Sequence, residues 1–334
     1  MNMRKIIISI SVILSTMLLL TACGGGGDKP GIAIGPPASG TNSFSKHLFG
    51  AYDLEDDDYT EFQEGFSDAA DGIQDGNIEM LLGILGLPAG SIESLQASVD
   101  DVKMLGFSDD AIDYLEEHSG YERYTIPKDT YDFLDEDVDT VAAYALMVAN
   151  TDTVSEEVGY ELAKIMIENS DENTHAQAAQ MTLDNALNGA EDIPIHPGAA
   201  KYFEEQGLEF DNPIAELNVS EEKSDLVLGT GSQGGTYYPL GGEIANVWNN
   251  HLDNINVTNT ETGASVENLA HLRDGSVDLG MAVNVPTLEA INGEGDFEEE
   301  VDNIAFIGHI YPEVVQLVTR EETGIESLGD LKQE

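Results

Sequence analysis

The chain has 334 residues, one cysteine and 41% apolar residues, with 64 Asp and Glu against 13 Lys and Arg for a formal net charge of −51. The apolar share is that of a globular protein and argues against a disordered polyanion; the charge argues against nucleic acid or an anionic bilayer as a partner for the protein body. A lone cysteine excludes a disulfide framework and a multi-cysteine zinc or iron–sulfur centre.

Length suggests roughly two domains of about 150 residues. The acid is dispersed in short runs such as Glu55–Asp58 and Glu298–Glu300 rather than gathered in a tail. Acid spread over a foldable sequence fits a surface adapted to high salt, where cations screen the self-repulsion. The runs lack the spacing of a calcium-binding loop.

In chain order, Met1–Lys5 is a short basic start, and Ile6–Leu20 is an uncharged apolar stretch. That stretch is too short to span a bilayer comfortably but suits the core of a signal peptide. Leu20-Thr21-Ala22-Cys23 resembles a lipobox, which implies cleavage of residues 1–22 and lipid attachment to Cys23, with 23–28 as a glycine-rich tether. The expectation is an exported protein, lipid-anchored at the cell envelope, in the periplasm or on the outer face of the cytoplasmic membrane.

Gly31–Leu54 then reads as a short apolar strand, a Gly/Pro/Ser turn and a helix, and Asp225–Trp248 repeats that grammar. Each unit is followed by a helix that ends at Asp-Gly before a strand, Asp75-Gly76 and Asp274-Gly275, as a left-handed glycine cap predicts. Two α/β lobes of similar topology are expected. Between them, Thr153–Asn169 has a helical apolar face, Val141–Ala149 and Pro312–Thr319 suit buried strands, and Gly207–Ser224 reads as a linker.

A strand feeding a helix through glycine-rich backbone points amide N–H groups into a cleft, and the helix dipole favours an anion there. Ser39, Thr41, Ser232 and Thr236 either add hydroxyl donors or simply cap helices. Gly229-x-Gly231-x-x-Gly234 also fits the dinucleotide fingerprint, but no acidic residue ends the next strand where the ribose needs one. No nucleophile elbow, paired-histidine metal site or catalytic constellation is visible, so no cofactor, no metal and no enzyme activity are expected.

Asp225–Gly329 resembles the first part of TAXI-family solute receptors of TRAP transporters, through GTGSQGGTYYPLGGEIANVWN, TNTETGASVENLAHLRDGSVDLGMA and IYPEVVQLVTREETGIESLGDLK. Lys29–Gly207 resembles the remainder, through IAIGPPASGTNSFSKHLFGAYDL and NALNGAEDIPIHPGAAKYF. Family members carry these halves in the opposite order, so the chain looks circularly permuted, with 207–224 as a new bridge. The resemblance implies an α/β, two-lobed, type II periplasmic-binding-protein (Venus-flytrap) fold with the ligand between the lobes. One lobe would be 29–138 plus 322–334, and the other 139–321.

The implied function is capture of a small organic anion, glutamate or a related dicarboxylate, by hinge closure, and delivery to the membrane subunits of a sodium-coupled permease. A sensory receptor feeding a membrane signalling protein is the alternative. Implied ligand contacts are Gly231, Ser232, Gly234, Gly235 and Tyr237 from one turn, and Thr262, Gly263 and Ser265 from the next. Ser39, Gly40, Thr41 and Asn42 come from the other lobe. Asn284 stands where the family carries polar residues, and Arg320 is the candidate guanidinium clamp on carboxylate.

Overall fold

The computed structural model describes residues 29–332. The expected signal segment, Cys23 and the glycine tether lie outside the described residues. Strand β1 (Gly31–Ala33) leads through its turn into α1 (Gly40–Ala51), then β2 (Thr60–Phe62), α2 (Phe66–Gln74) and β3 (Met80–Leu85). Next come α3 (Gly90–Ser98), β4 (Val102–Leu105), α4 (Asp109–Ser119), β5 (Glu122–Ile126) and the long β6 (Val138–Asn150). Helices α5 (Glu156–Glu168) and α6 (Pro197–Glu205) precede the second unit, β7 (Asp225–Gly229), α7 (Tyr237–His251), β8 (Asn256–Thr260), α8 (Ser265–Arg273) and β9 (Leu279–Val283). Helix α9 (Asn284–Asn292) and the long β10 (Ile304–Arg320) follow.

The two units are built alike. β1 lies between β2 and β3, parallel to both, as β7 lies between β8 and β9. Asp75 and Asp274 end α2 and α8, and Gly76 and Gly275 both follow at φ +71°, the left-handed conformation that the Asp-Gly spelling predicted.

β6 and β10 tie the units together. They run antiparallel, pairing Ala142–Asn150 with Ile304–Val314, and each changes partner midway. β6 pairs β5 through Val138–Ala142 and β9 through Ala145–Ala149. β10 pairs β3 and β4 through Val314–Arg320. The changeover in β10 coincides with Pro312, which cannot donate to a ladder, beside a register shift between His309 and Tyr311. Both strands are almost wholly buried, which their near-continuous apolar sequence reflects. Because β10 changes partner at Pro312–Val314, residues 314–320 hydrogen-bond with β3 and β4, although the sequence placed everything up to 321 with the other lobe.

The result is a mixed α/β, two-lobed fold with one apolar cluster in the β7 lobe and two in the β1 lobe. Trp248, Phe306 and Leu162 centre the cluster of the β7 lobe, where the Trp248 indole N–H donates to the Leu162 carbonyl at 3.0 Å. Ile32, Phe44, Leu48 and Leu115 fill one face of the β1 sheet, and Ile73, Leu81 and Val318 the other. Leu328 and Leu331 belong to the first of these clusters, with Ile32.

Residues 207–224 contain neither helix nor strand, as expected of a linker, yet they are held down. The Ile195 N–H donates to the Pro213 carbonyl (2.8 Å), and the Ala215 N–H donates back to Ile195 (2.9 Å). The Asn212 amide reaches the Ala190 and Ile193 carbonyls. Among the described residues no helix is long and apolar enough to cross a membrane.

Candidate functional site

Three helix N-termini converge where the lobes meet: α1 from one lobe, α7 and α8 from the other. Each leaves first-turn amides without an intrahelical partner. At α1 the Ser39 hydroxyl accepts from the Asn42 N–H at 3.1 Å, a helix cap. Helices α7 and α8 begin without any side-chain cap. Of the other hydroxyls that sequence alone left open as caps, those of Thr41 and Thr236 are used elsewhere, as is that of Ser265. Thr41 Oγ1 accepts from the Ile84 N–H (3.1 Å), Thr236 Oγ1 from the Gly86 N–H of the opposite lobe (3.0 Å), and Ser265 Oγ from the Val283 N–H (3.1 Å).

The lobes touch directly around this point. The Glu267 N–H in α8 donates to the Ala38 carbonyl at 3.1 Å, and Lys46 pairs with Asp296 at 3.1 Å. Gln177 donates to the Leu87 carbonyl. Ala38 (φ 58°) and the neighbour of Ser265, Ala264 (φ 82°), both occupy left-handed backbone, costly for a residue with a Cβ. Such strain concentrates where a surrounding structure needs the backbone aimed in one direction.

Between the lobes, at these helix N-termini, lies a cavity of about 30 Å³, enough for one or two water molecules. Gly231, Ser232, Gly235, Tyr237, Gly263 and Ser265 line it from the β7 lobe, and Ser39, Gly40 and Thr41 from the β1 lobe, as expected. Phe66, Ile84 and Leu85 add apolar wall, and Tyr311 and Glu313 form part of its lining from β10. No lysine, arginine or histidine is among the lining residues.

Glu313 is the chemical centre of this cavity. It is 2% exposed, and the Tyr311 hydroxyl donates to its Oε1 at 2.7 Å. Its Oε2 has no hydrogen-bond partner among the described residues, nor do the Ser232 hydroxyl and the Tyr237 hydroxyl, which lies near the same carboxyl. Burial pushes the carboxyl up to about 8, against the opposing pull of the Tyr311 and Tyr237 hydroxyls. Burial first, and the carboxylate second, push both tyrosines well above their usual range, so they remain hydroxyl donors.

Five of the expected contacts lie elsewhere. Gly234 packs against the backbone of Ser67 in the opposite lobe, at the seam beside the cavity. Thr262 lies at the mouth of the cleft, its hydroxyl on the Thr230 carbonyl (3.0 Å) and the Asn268 amide oxygen (2.7 Å). Asn42 is not among the cavity's lining residues, and its side-chain nitrogen is buried and unpartnered. Asn284 is used structurally: its Oδ1 accepts from the Tyr144 N–H of β6 at 2.9 Å. Arg320 lies away from the cavity. It sits at the far end of β10, bonded to Asp101 (2.8 Å) and Glu322 (2.5 Å), because the changeover at Pro312 carries the strand away from the cleft. Arg320→Ala should therefore leave the affinity for any cleft ligand within about twofold of wild type by calorimetry; a loss beyond tenfold would restore the clamp.

Glu313 and Tyr311 were not among the residues expected from sequence. A signal existed, since Glu313 is the sole acidic residue in the seventeen residues of β10, and a carboxyl inside a buried strand needs a reason. Among the described residues no group of three or more His, Cys, Asp or Glu is placed to hold a metal ion.

Two lobes joined by two long shared strands, with helix N-termini facing one another across the seam, define a solute-binding-protein-like fold. Residues 28–207 and 228–334 match the NMT1-like family, and the chain belongs to it. Among solved structures it is similar to the phosphate-binding protein of a phosphate ABC transporter from Streptococcus pneumoniae TIGR4 (12% identity, 90% of this chain and 92% of that one, TM-score 0.40). It is also similar to the substrate-binding protein of an amino acid ABC transporter (8%, 91% and 88%, TM-score 0.38). A third is the effector-binding domain of a BenM variant (7%, 91% and 89%, TM-score 0.38).

Proposed function

We propose that this protein is an extracytoplasmic solute receptor of the TAXI kind, which captures a small organic anion between its lobes and delivers it to the sodium-coupled permease of a TRAP transporter. The observation that carries this reading is the convergence of three helix N-termini on one cavity: their unpaired amides and aligned dipoles attract an anion without any basic side chain. Glutamate or a related dicarboxylate is the ligand class. β6 and β10 act as the hinge, since they are the strands that change partner between lobes, and bound ligand stabilises the closed state.

In this reading the signal segment exports the chain and Cys23 anchors it to the membrane by lipid, with the acidic surface suited to high salt. The chain carries the family's halves in exchanged order. Support for that comes from the two separate family-matching stretches, the unmatched 208–227 between them, and the place of Leu331 in the same core as Ile32. Permutation is tolerated when the old termini lie close together.

The test is a thermal-shift screen of the purified protein in molar salt against dicarboxylates and amino acids. A ligand at about 100 times its Kd should add about 2.7 kcal/mol of stability. Absence of any shift across the panel would overturn the reading.

A further inference from the structure

We infer that Glu313 is the specificity-determining residue of the cleft: it receives a protonated amine on the ligand, while the helix N-termini receive the ligand's carboxylate, and its own proton leaves to solvent on binding. The inference rests on the receptor reading above and narrows it to ligands that carry both charges.

The argument starts from what surrounds the carboxyl. Glu313 projects from the point where β10 changes lobe, so it lies at the seam rather than within either core. Among the described residues, the titratable groups that interact with it are tyrosines: Tyr311 on its own strand donates to it, Tyr237 lies beside it from α7, and Tyr121, from the segment before β5, feels its charge. Glu289 on α9 acts on Tyr121 from further out and adds negative charge, not positive. Tyr311 already donates to one carboxyl oxygen, and the hydroxyl of Tyr237 is a second donor beside it. A ring of donors suits a carboxylate and offers a carboxylic acid proton few acceptors. Yet no cation lines the cavity, and an unpaired buried carboxylate is costly. The free protein meets that cost by keeping the proton on Glu313, because burial lifts the carboxyl to about 8. A ligand ammonium removes the need for it: its N–H groups supply the partner that Oε2 lacks, and the attraction between the two charges favours the ionised form. The Glu313 proton is then released. The ligand's carboxylate turns to the unpaired amides of α1, α7 and α8 on the facing walls. The cleft thus reads opposite charges with backbone at one end and a single side chain at the other.

Isothermal titration calorimetry at pH 7, in molar salt and in buffers of different ionisation enthalpy, tests this with matched pairs: glutamate against glutarate, and alanine against propionate. Each pair shares its carboxylates and differs in the amine. The amine-bearing member should bind at least 100-fold more tightly, with close to one proton released per ligand. In Glu313→Gln the preference should fall to less than tenfold and the proton release should vanish, with the thermal melt of the variant showing that it is folded. Equal affinity for both members of each pair, no proton release, or an unchanged preference in Glu313→Gln would overturn the assignment and leave the receptor reading intact. No binding by any member would overturn both.

Discussion

Gly234→Val is expected to stop the two lobes from closing while leaving each lobe folded. Gly234 lies in the turn between β7 and α7, and a Cβ there would collide with the Ser67 backbone nitrogen and the Phe66 carbonyl carbon, at the N-terminus of α2 in the opposite lobe. The clash is with backbone, which cannot rotate aside as a side-chain tip can. Its backbone does not occupy the left-handed region that disfavours other residues, and the nearest atoms a Cβ would meet all belong to the opposite lobe. The penalty therefore arises only on closure. Overpacking of this kind costs typically about 1–3 kcal/mol, which translates to roughly 5- to 150-fold in ligand affinity. Small-angle scattering should show wild type contracting when ligand is added and Gly234→Val remaining extended, with ligand-free melting temperatures within about 2 °C. A variant that binds and contracts like wild type would mean that the seam at Gly234 and Ser67 opens freely, and hinge closure would lose its support.

That seam also marks the limit of what the sequence discloses. The paired units were legible because each is a local pattern: a glycine-rich turn after a short strand, and an Asp-Gly that stops a helix. Turn residues such as Gly231, Ser265 and Thr41 reach the cavity because strand-to-helix turns lie at the same end of both parallel sheets. The errors came from β10. A long apolar run such as Ile304–Thr319 carries no local mark of where it changes neighbours, so Arg320 was read as a clamp on the ligand when β10 changes partner near Pro312. Asn284 illustrates a different obstacle. Its side chain has a backbone N–H to satisfy in β6, 140 residues away in sequence, and only the folded pairing reveals that demand. Glu313 was legible as an anomaly but not as a site, since its meaning depends on tyrosines brought from α7 and from ahead of β5.

Glu313→Gln should also make the protein more stable at alkaline pH, and by an amount that depends on pH in a defined window. The ordinary glutamate value is 4.5, and burial raises Glu313 to about 8 in the folded protein. Between those values the unfolded chain has released a proton that the folded chain keeps, so the folded state binds more protons and wild-type stability falls as pH rises. Below about 4.5 both states are protonated, and above about 8 both are ionised, so this slope vanishes at each end. Glutamine is isosteric, keeps an oxygen for the Tyr311 hydroxyl and never ionises, so it removes the slope without opening a cavity. The stability difference between variant and wild type should be below about 1 kcal/mol at pH 5. It should grow to a few kcal/mol by pH 8, because inside the window the slope approaches about 1.4 kcal/mol for every tenfold fall in proton concentration. His309 acts in the opposite sense. Burial lowers it to about 4, so below its ordinary value of 6.5 the unfolded chain takes up a proton that the folded chain refuses, and stability falls with acid. That contribution is common to both proteins and cancels in the difference. Denaturant melts in molar salt at pH 5 through 9 measure it directly. A difference that stays constant across that range would mean that Glu313 is ionised in the folded protein throughout, already paired with a cation that the cavity's own side chains do not supply.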